Sequence, residues 1–220
     1  KLFDDDKEEV KLTAGIMWHQ IERKSDDLGL KATVTSFVPE TKDKVELTKI
    51  EITNITDSHI KFTPTTAIPL YGRSASNIRD HRHVTSLLHR TFTVKNGIEI
   101  FPTLTFDERG HNKNTVYYGA LAKEETDGVM VSPISFCPVT EEFIGRGGNF
   151  ENPYMVAKNL PLPYGIGEEI DGYETVAAMR FADAVISPGE TKTYIIALGY
   201  GNSEEEIDKL GEKYLDTKAF

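Results

Sequence analysis

The densest concentration of reactive side chains is the set Arg73, Arg79, Asp80, His81, Arg82 and His83, followed closely by His89 and Arg90. It is the one basic island in a chain whose formal net charge is −10. In extended backbone His81 and His83 project to the same side, as two metal ligands would, and His111 offers a third. The arginine between them is unhelpful to a cation, and a metal site would also want a carboxylate or a water-bearing open position. The reading is therefore no metal, with hydrogen-bonded structural roles for the histidines. Arginine clusters suit phosphate, carboxylates or ion pairs between domains. Arg73 and the run Arg79 to His83 are thus the candidate substrate-proximal or domain-facing surface, with an interface preferred over direct ligand contact.

The remaining chemistry is thin. Arg146-Gly147-Gly148 has the glycines of a phosphate-cradling loop without the Lys-Ser/Thr pair or the following helix. Glu141 with Glu142, and Asp107 with Glu108, are adjacent carboxylates of the kind that are ordinarily solvated. Cys137, between Phe136 and Pro138, reads as buried and has no histidine at an arguable spacing. Trp18 and the tyrosines have flat faces suited to pyranose rings, but aromatics in a sandwich are expected chiefly in the core. The sequence predicts no catalytic residue.

These groups must be held by strands. Residues Lys11 to Glu22 read as one strand, Ser25 to Gly29 as a turn and Leu30 to Val38 as a second strand. In Val45 to Thr53 the apolar set shifts from odd positions (Val45, Leu47) to even ones (Ile50, Ile52), which predicts a β-bulge near Thr48-Lys49. Pro64 and Pro69 place the next strand at an edge or bend. A hairpin is expected over Val84 to Phe106, with a three-residue loop of Lys95, Asn96 and a left-handed Gly97 that sets Val94 opposite Ile98. Two more strands follow, and Pro138 to Gly172 is a long loop with one helical turn at Thr140 to Phe143. Met179 to Val185 is paired with Thr193 to Leu198 through Ser187-Pro188-Gly189-Glu190, which sets Phe181 opposite Ile196. Asn202 to Glu206 caps a C-terminal helix carrying Ile207, Leu210 and Tyr214. The fold class is all-β, a large antiparallel β-sandwich with a C-terminal helix.

Composition sets the outer bounds. At 220 residues, 39% hydrophobic and 27% charged, the chain is a folded domain, and no apolar run approaches the ~20 residues of a membrane span. Its negative charge argues against nucleic acid as a partner. One cysteine and no recognisable signal segment point to the cytoplasm, and a first residue of Lys suggests a piece of a longer protein.

Three stretches carry a resemblance. Ala67 to Ala75, Asn77 to Leu88 and Thr105 to His111 resemble the N-terminal sandwich of the 1,2-β-oligoglucan phosphorylases. Phe143-Ile144-Gly145, Asn152-Pro153 and the span Ser187 to Gly201 resemble the wider cellobiose phosphorylase family, glycoside hydrolase family 94, formerly glycosyltransferase family 36. The resemblance implies a supersandwich of the galactose mutarotase-like kind over residues 1–202, incomplete at its start. Residues 203–220 would begin a linker helix toward an (α/α)6 catalytic barrel. It implies an inverting enzyme that takes a β-1,2-glucooligosaccharide and inorganic phosphate to glucose 1-phosphate and a shortened glucan. The phosphate is a co-substrate and no cofactor is expected. The family's general acid and phosphate ligands lie on the barrel, so no catalytic residue carries over to this chain. Expected partners are that barrel, the glucan and a second copy in a homodimer. Two other readings stand beside it: a free-standing carbohydrate-binding sandwich and, last, an aldose epimerase, for which no His/Glu pair is identifiable.

Overall fold

A computed structural model describes residues 8–72, 86–107 and 110–220. The first strands are β1 (Glu8–Gly15), β2 (Trp18–Ser25), β3 (Leu30–Phe37), β4 (Val45–Asn54), β5 (Ile60–Phe62), β6 (Thr65–Leu70), β7 (His89–Val94) and β8 (Gly97–Pro102). They are followed by β9 (Leu104–Asp107), β10 (Gly110–Lys113), β11 (Tyr117–Thr126), β12 (Val129–Val131), β13 (Ser135–Val139), β14 (Glu169–Asp171), β15 (Thr175–Arg180), β16 (Ala184–Ile186) and β17 (Thr191–Gly201). Helices α1 (Thr140–Ile144) and α2 (Tyr154–Ala157) punctuate the long loop, and α3 (Glu204–Tyr214) follows the last strand. All pairings are antiparallel, as the all-β sandwich reading requires.

A ten-stranded sheet in the order β1-β2-β3-β4-β17-β11-β8-β7-β14, with β12 branching from β11, forms one layer. The second layer is the three-stranded sheet β13-β15-β6, accompanied by the ribbon of β16 and β5. Between the layers Ile98, Ile100, Ala120, Ala122, Tyr194 and Ile196 pack against Phe136, Ala177, Met179 and Phe181. On the far side of the large sheet, Leu47, Leu121, Ile195 and Ala197 receive Ile207, Leu210 and Tyr214 of α3. The outer face of the small sheet is covered as well, where Cys137, Val176 and Ala178 meet Phe143 and Leu162.

The two-sided cover explains why the expected bulge is absent. Strand β4 runs in unbroken register against both β3 and β17 through Thr48 and Lys49. Val45 and Leu47 face α3 while Ile50 and Ile52 face the sandwich core, so the change of phase marks a change of partner. The same cause undoes the pairing of Met179 to Val185 with Thr193 to Leu198. Strand β15 pairs with β13 and β6, and β17 pairs with β4 and β11. Phe181 and Ile196 do meet, but across the core from opposite layers. The Ser187 to Glu190 turn is real, closed by the Glu190 amide on the Ser187 carbonyl at 3.0 Å.

The β7–β8 hairpin is also shifted. Its loop is Lys95-Asn96, which sets Val94 opposite Gly97, Thr93 opposite Ile98 and Phe92 opposite Glu99. Gly97 is required by proximity and not by a left-handed turn, because a Cβ there would lie 2.1 Å from the Ala120 carbonyl oxygen of β11. Residues Lys11 to Glu22, read as one strand, fold instead as the β1–β2 hairpin, turning at Ile16 and a left-handed Met17 with φ of 62°. The edge and bend positions of the prolines hold: Pro64 separates β5 from β6, and Pro69 lies on β6 at the margin of its sheet. Pro138 interrupts the β13–β15 ladder, where the register shifts between Cys137 and Val139.

Helix α3 is capped within the Asn202 to Glu206 stretch, as the sequence predicts. Ser203 is the N-cap, its hydroxyl accepting the Glu206 amide at 3.3 Å, and the Glu206 carboxylate in turn accepts the Asn202 amide at 2.7 Å. Because Gly97 is set by its approach to β11, Gly97→Asn should destabilise the fold as much as Gly97→Ala, by about 2 kcal/mol or more. Urea denaturation checks this; a tolerated asparagine would restore the left-handed turn glycine.

Candidate functional site

Arg73, Arg79, Asp80, His81, Arg82 and His83 lie outside the described residues, as do the side chains of Asp107, Glu108 and His111. Their neighbours His89 and Arg90 are described, and β7 sends them to opposite faces. His89 is buried between the layers, with Nδ1 3.4 Å from the Thr175 hydroxyl, which also meets Thr91 at 3.1 Å. Arg90 points to the α3 side and holds Asp171 at 3.3 Å. Alternation along a strand thus divides this part of the basic island into a core histidine and a surface ion pair.

The other candidates resolve into structural roles. Glu142 accepts the Tyr164 hydroxyl at 3.1 and 3.2 Å, and burial together with this carboxylate pushes the Tyr164 phenol up to about 12. Gly147 is left-handed and Gly148 packs onto the Ile144 carbonyl, so Arg146-Gly147-Gly148 is a tight exit from α1. Cys137 is buried; burial raises its thiol to about 12, and its one hydrogen bond runs to the Val139 carbonyl at 3.6 Å. Trp18 departs from the core expectation, standing 40% exposed at the end of the β1–β2 hairpin.

What the fold does assemble is an aromatic groove at one end of the sandwich. Tyr118 of β11 and Tyr200 of β17 are register partners with ring centroids 6.2 Å apart, and the Lys44 ammonium sits 4.9 Å above the Tyr200 ring. Pro69, Leu70 and Tyr71 form the opposite wall, and the enclosed space is about 560 Å³. The Tyr71 hydroxyl donates to Glu174 at 3.1 Å, fixing that ring at the margin. Burial, then the neighbouring Tyr200, raises the Tyr118 phenol, so it is a neutral hydrogen-bonding group at physiological pH. Asp43 borders the groove with its carboxylate held low by hydrogen bonds from Lys213 and Tyr214, at 2.5 and 2.6 Å. Apolar ring faces with a hydroxylated, charged rim suit a sugar, and the described lining presents no poised acid/base pair. The strand-by-strand alternation of Tyr118 and Tyr200 was visible in the sequence, but their pairing was not, because β11 and β17 are far apart in the chain.

Gly72 follows Tyr71 of the groove wall and packs against Pro102 and Ile100 of β8. Residues 5–217 match the family described as Glycosyl hydrolase 94, supersandwich domain. The chain belongs to that family. The supersandwich also resembles a solved structure titled Polysaccharide Lyase BACCELL_00875, with a TM-score of 0.53 at 13% identity, over 92% of this chain and 24% of that one. The GH36 alpha-galactosidase AgaB from Geobacillus stearothermophilus aligns over 90% of this chain and 26% of its own at 12% identity, with a TM-score of 0.34. The chain therefore spans about a quarter of each of these structures. No curated protein sequence matches it. Family and fold together make this a domain of a carbohydrate-active enzyme. No helix among the described residues is long and apolar enough to cross a membrane.

The burial of Cys137 carries a direct test. At pH 8 its thiol should react with a disulfide reagent on the order of a hundredfold or more slower than in urea-unfolded protein, because the thiolate fraction and the access both fall. Prompt labelling of the folded protein would place Cys137 at the surface.

Proposed function

We propose that this supersandwich is the non-catalytic domain of an inverting phosphorylase that converts a β-1,2-glucooligosaccharide and inorganic phosphate to glucose 1-phosphate and a shortened glucan. The observation that carries the reading is the family match over residues 5–217, joined to the phosphorylase-like stretches Ala67 to Ala75, Asn77 to Leu88 and Thr105 to His111. Phosphorolysis suits a domain without catalytic carboxylates. Phosphate arrives already anionic and needs positioning, whereas an inverting hydrolase needs a base to activate water. The single acid that protonates the leaving oxygen belongs to an (α/α)6 barrel beyond this sandwich, toward which α3 begins the connection. The tyrosine groove, and the Arg73 to His83 segment that follows Tyr71 and Gly72 in the sequence, are the parts assigned to meeting the barrel and the glucan. The enzyme is cytoplasmic, a homodimer, and uses no cofactor beyond its phosphate co-substrate.

A second reading, a free-standing carbohydrate-binding sandwich, draws on one observation: Tyr200 remains 45% exposed and available for stacking. Calorimetry separates the two, since micromolar binding of a β-1,2-glucan by the sandwich alone would favour the module.

In the intact enzyme, Tyr118→Ala with Tyr200→Ala should raise the KM for the glucan about tenfold, as lost stacking predicts, while KM for phosphate stays put. Arg79→Ala with Arg82→Ala should weaken assembly with the barrel or raise the phosphorolysis KM. Unchanged kinetics and stability in both variants would remove this face from the function. Glucose 1-phosphate production by residues 1–220 alone would overturn the non-catalytic role altogether.

A further inference from the structure

Glu99 is the most unusual ionisable group among the described residues. It lies on β8, between β11 and β7 of the ten-stranded sheet, on the face that α3 covers, fully buried, and neither carboxyl oxygen has a hydrogen-bond partner. Its surroundings offer no compensation. From β11 the residue opposite is Gly119, flanked by Tyr117 and Leu121. From β7 it is Phe92, flanked by Arg90, whose guanidinium is held by Asp171 at 3.3 Å, and by Val94. From α3 come Ile207, whose side chain fills the space above Gly119, and the carboxylates of Glu204 and Asp208. No cluster of three metal-capable side chains occurs among the described residues, so no bound cation is implied.

A carboxylate in such a place is penalised twice. It loses water without gaining a hydrogen bond, and it feels the like charges of Asp208 and Glu204 on α3. Burial, reinforced by Asp208 and then Glu204, raises the Glu99 carboxyl to about 8. The group is therefore a neutral acid when α3 is seated and an ordinary carboxylate when α3 lifts and lets water in. Gly119 makes the arrangement tight: a Cβ there would come within 2.5 Å of the Ile207 methyl, so the helix rests directly on the backbone beside Glu99.

We infer that Glu99 is a proton-operated seat for α3, holding the N-terminal turns of that helix against the sheet while protonated and releasing them as it ionises. The direction follows from linkage. The seated state binds one more proton than the lifted state between the ordinary glutamate range near 4.5 and the raised value near 8. Seating is therefore strongest at and below the ordinary range. It weakens by about tenfold for each pH unit through that window and levels off above it. This goes beyond the proposed phosphorolysis and does not rest on it. What it adds is that α3 responds to pH through a group on the face of the sheet opposite the groove.

Hydrogen exchange of peptides spanning Glu204 to Tyr214 in the intact protein, corrected for intrinsic rates, tests it from pH 5 to 9. Protection in α3 should fall by about tenfold per pH unit and then flatten near pH 8, while Glu99→Gln, a neutral isostere, should give a nearly flat profile. Glu204→Gln with Asp208→Asn should move the flattening to lower pH, because it removes the like charges and leaves the burial. Identical profiles for the wild type and Glu99→Gln would overturn the inference. Should Glu99→Gln fail to fold, seen as lost protection in β15, the double variant decides alone, and an unmoved flattening point overturns it equally.

Discussion

Strands β4, β17, β11 and β8 have protein on both sides along their central stretches, so the residues there must satisfy one packing surface or the other. Ile195 and Ala197 serve α3 while Tyr194 and Ile196 serve the sandwich interior, and the same division runs through Leu121 against Ala120 and Ala122. Close approach is part of the same constraint. Gly97 admits β11, Gly119 admits Ile207 and Gly199 admits Leu210, and at each of these a Cβ would fall within 3.0 Å of its neighbour. Burial on this scale, at roughly 25 cal/mol per Å² of apolar surface, is what holds a helix of only three turns in place. The docked helix then closes one side of the molecule and leaves the tyrosine groove on the other.

Legibility in the sequence followed the number of covered faces. Strand β3 and the Ser25 to Gly29 turn read correctly, because one face of β3 meets ion-paired surface residues and the alternation is clean. The helix also read correctly from its caps and its Ile207, Leu210, Tyr214 stripe. In β4 and in the β7–β8 hairpin the two-period failed, since apolar residues of both parities are wanted where both faces are buried. Phe92 and Val94 look like partners of Ile98 and Ile100, yet they face opposite sides of the sheet. Which strands pair across layers is set by long-range packing, so Met179 and Leu198 could be placed in one imagined hairpin although they belong to different sheets.

The edge of the large sheet shows what happens where cover stops. On the α3 side of β1 to β3, Glu22 is held by Lys31 at 2.7 Å and Lys11 at 3.6 Å, and Gln20 reaches Thr35. On the other side Val10 and Leu12 stand 49% and 67% exposed beside Ile21 and Val34, because the three-stranded layer ends near β4. A strand with one solvated face and one bare apolar face reads in sequence like any half-buried strand, and periodicity gives no sign that the cover is missing.

Perturbed acids usually point toward active sites, and here the reason they do not is geometric. Glu99 and Glu124 both have carboxyls raised by burial, but Glu99 is sealed beneath α3 and Glu124 is tethered to Lys192 at 3.8 Å on the paired strand. At the groove and beside it, Asp43 is held ionised by hydrogen bonds from Lys213 and Tyr214, and Glu174 accepts the Tyr71 hydroxyl. General acid catalysis needs a raised carboxyl and an open cleft at the same point. Among the described residues those two properties fall in different places: Glu99 lies against Gly119 on the face of the sheet away from Tyr118, and Glu124, on the Tyr118 face of β11, stands six residues along the strand from the groove. Strand alternation in the one case and distance along the strand in the other keep the raised carboxyls away from the aromatic groove.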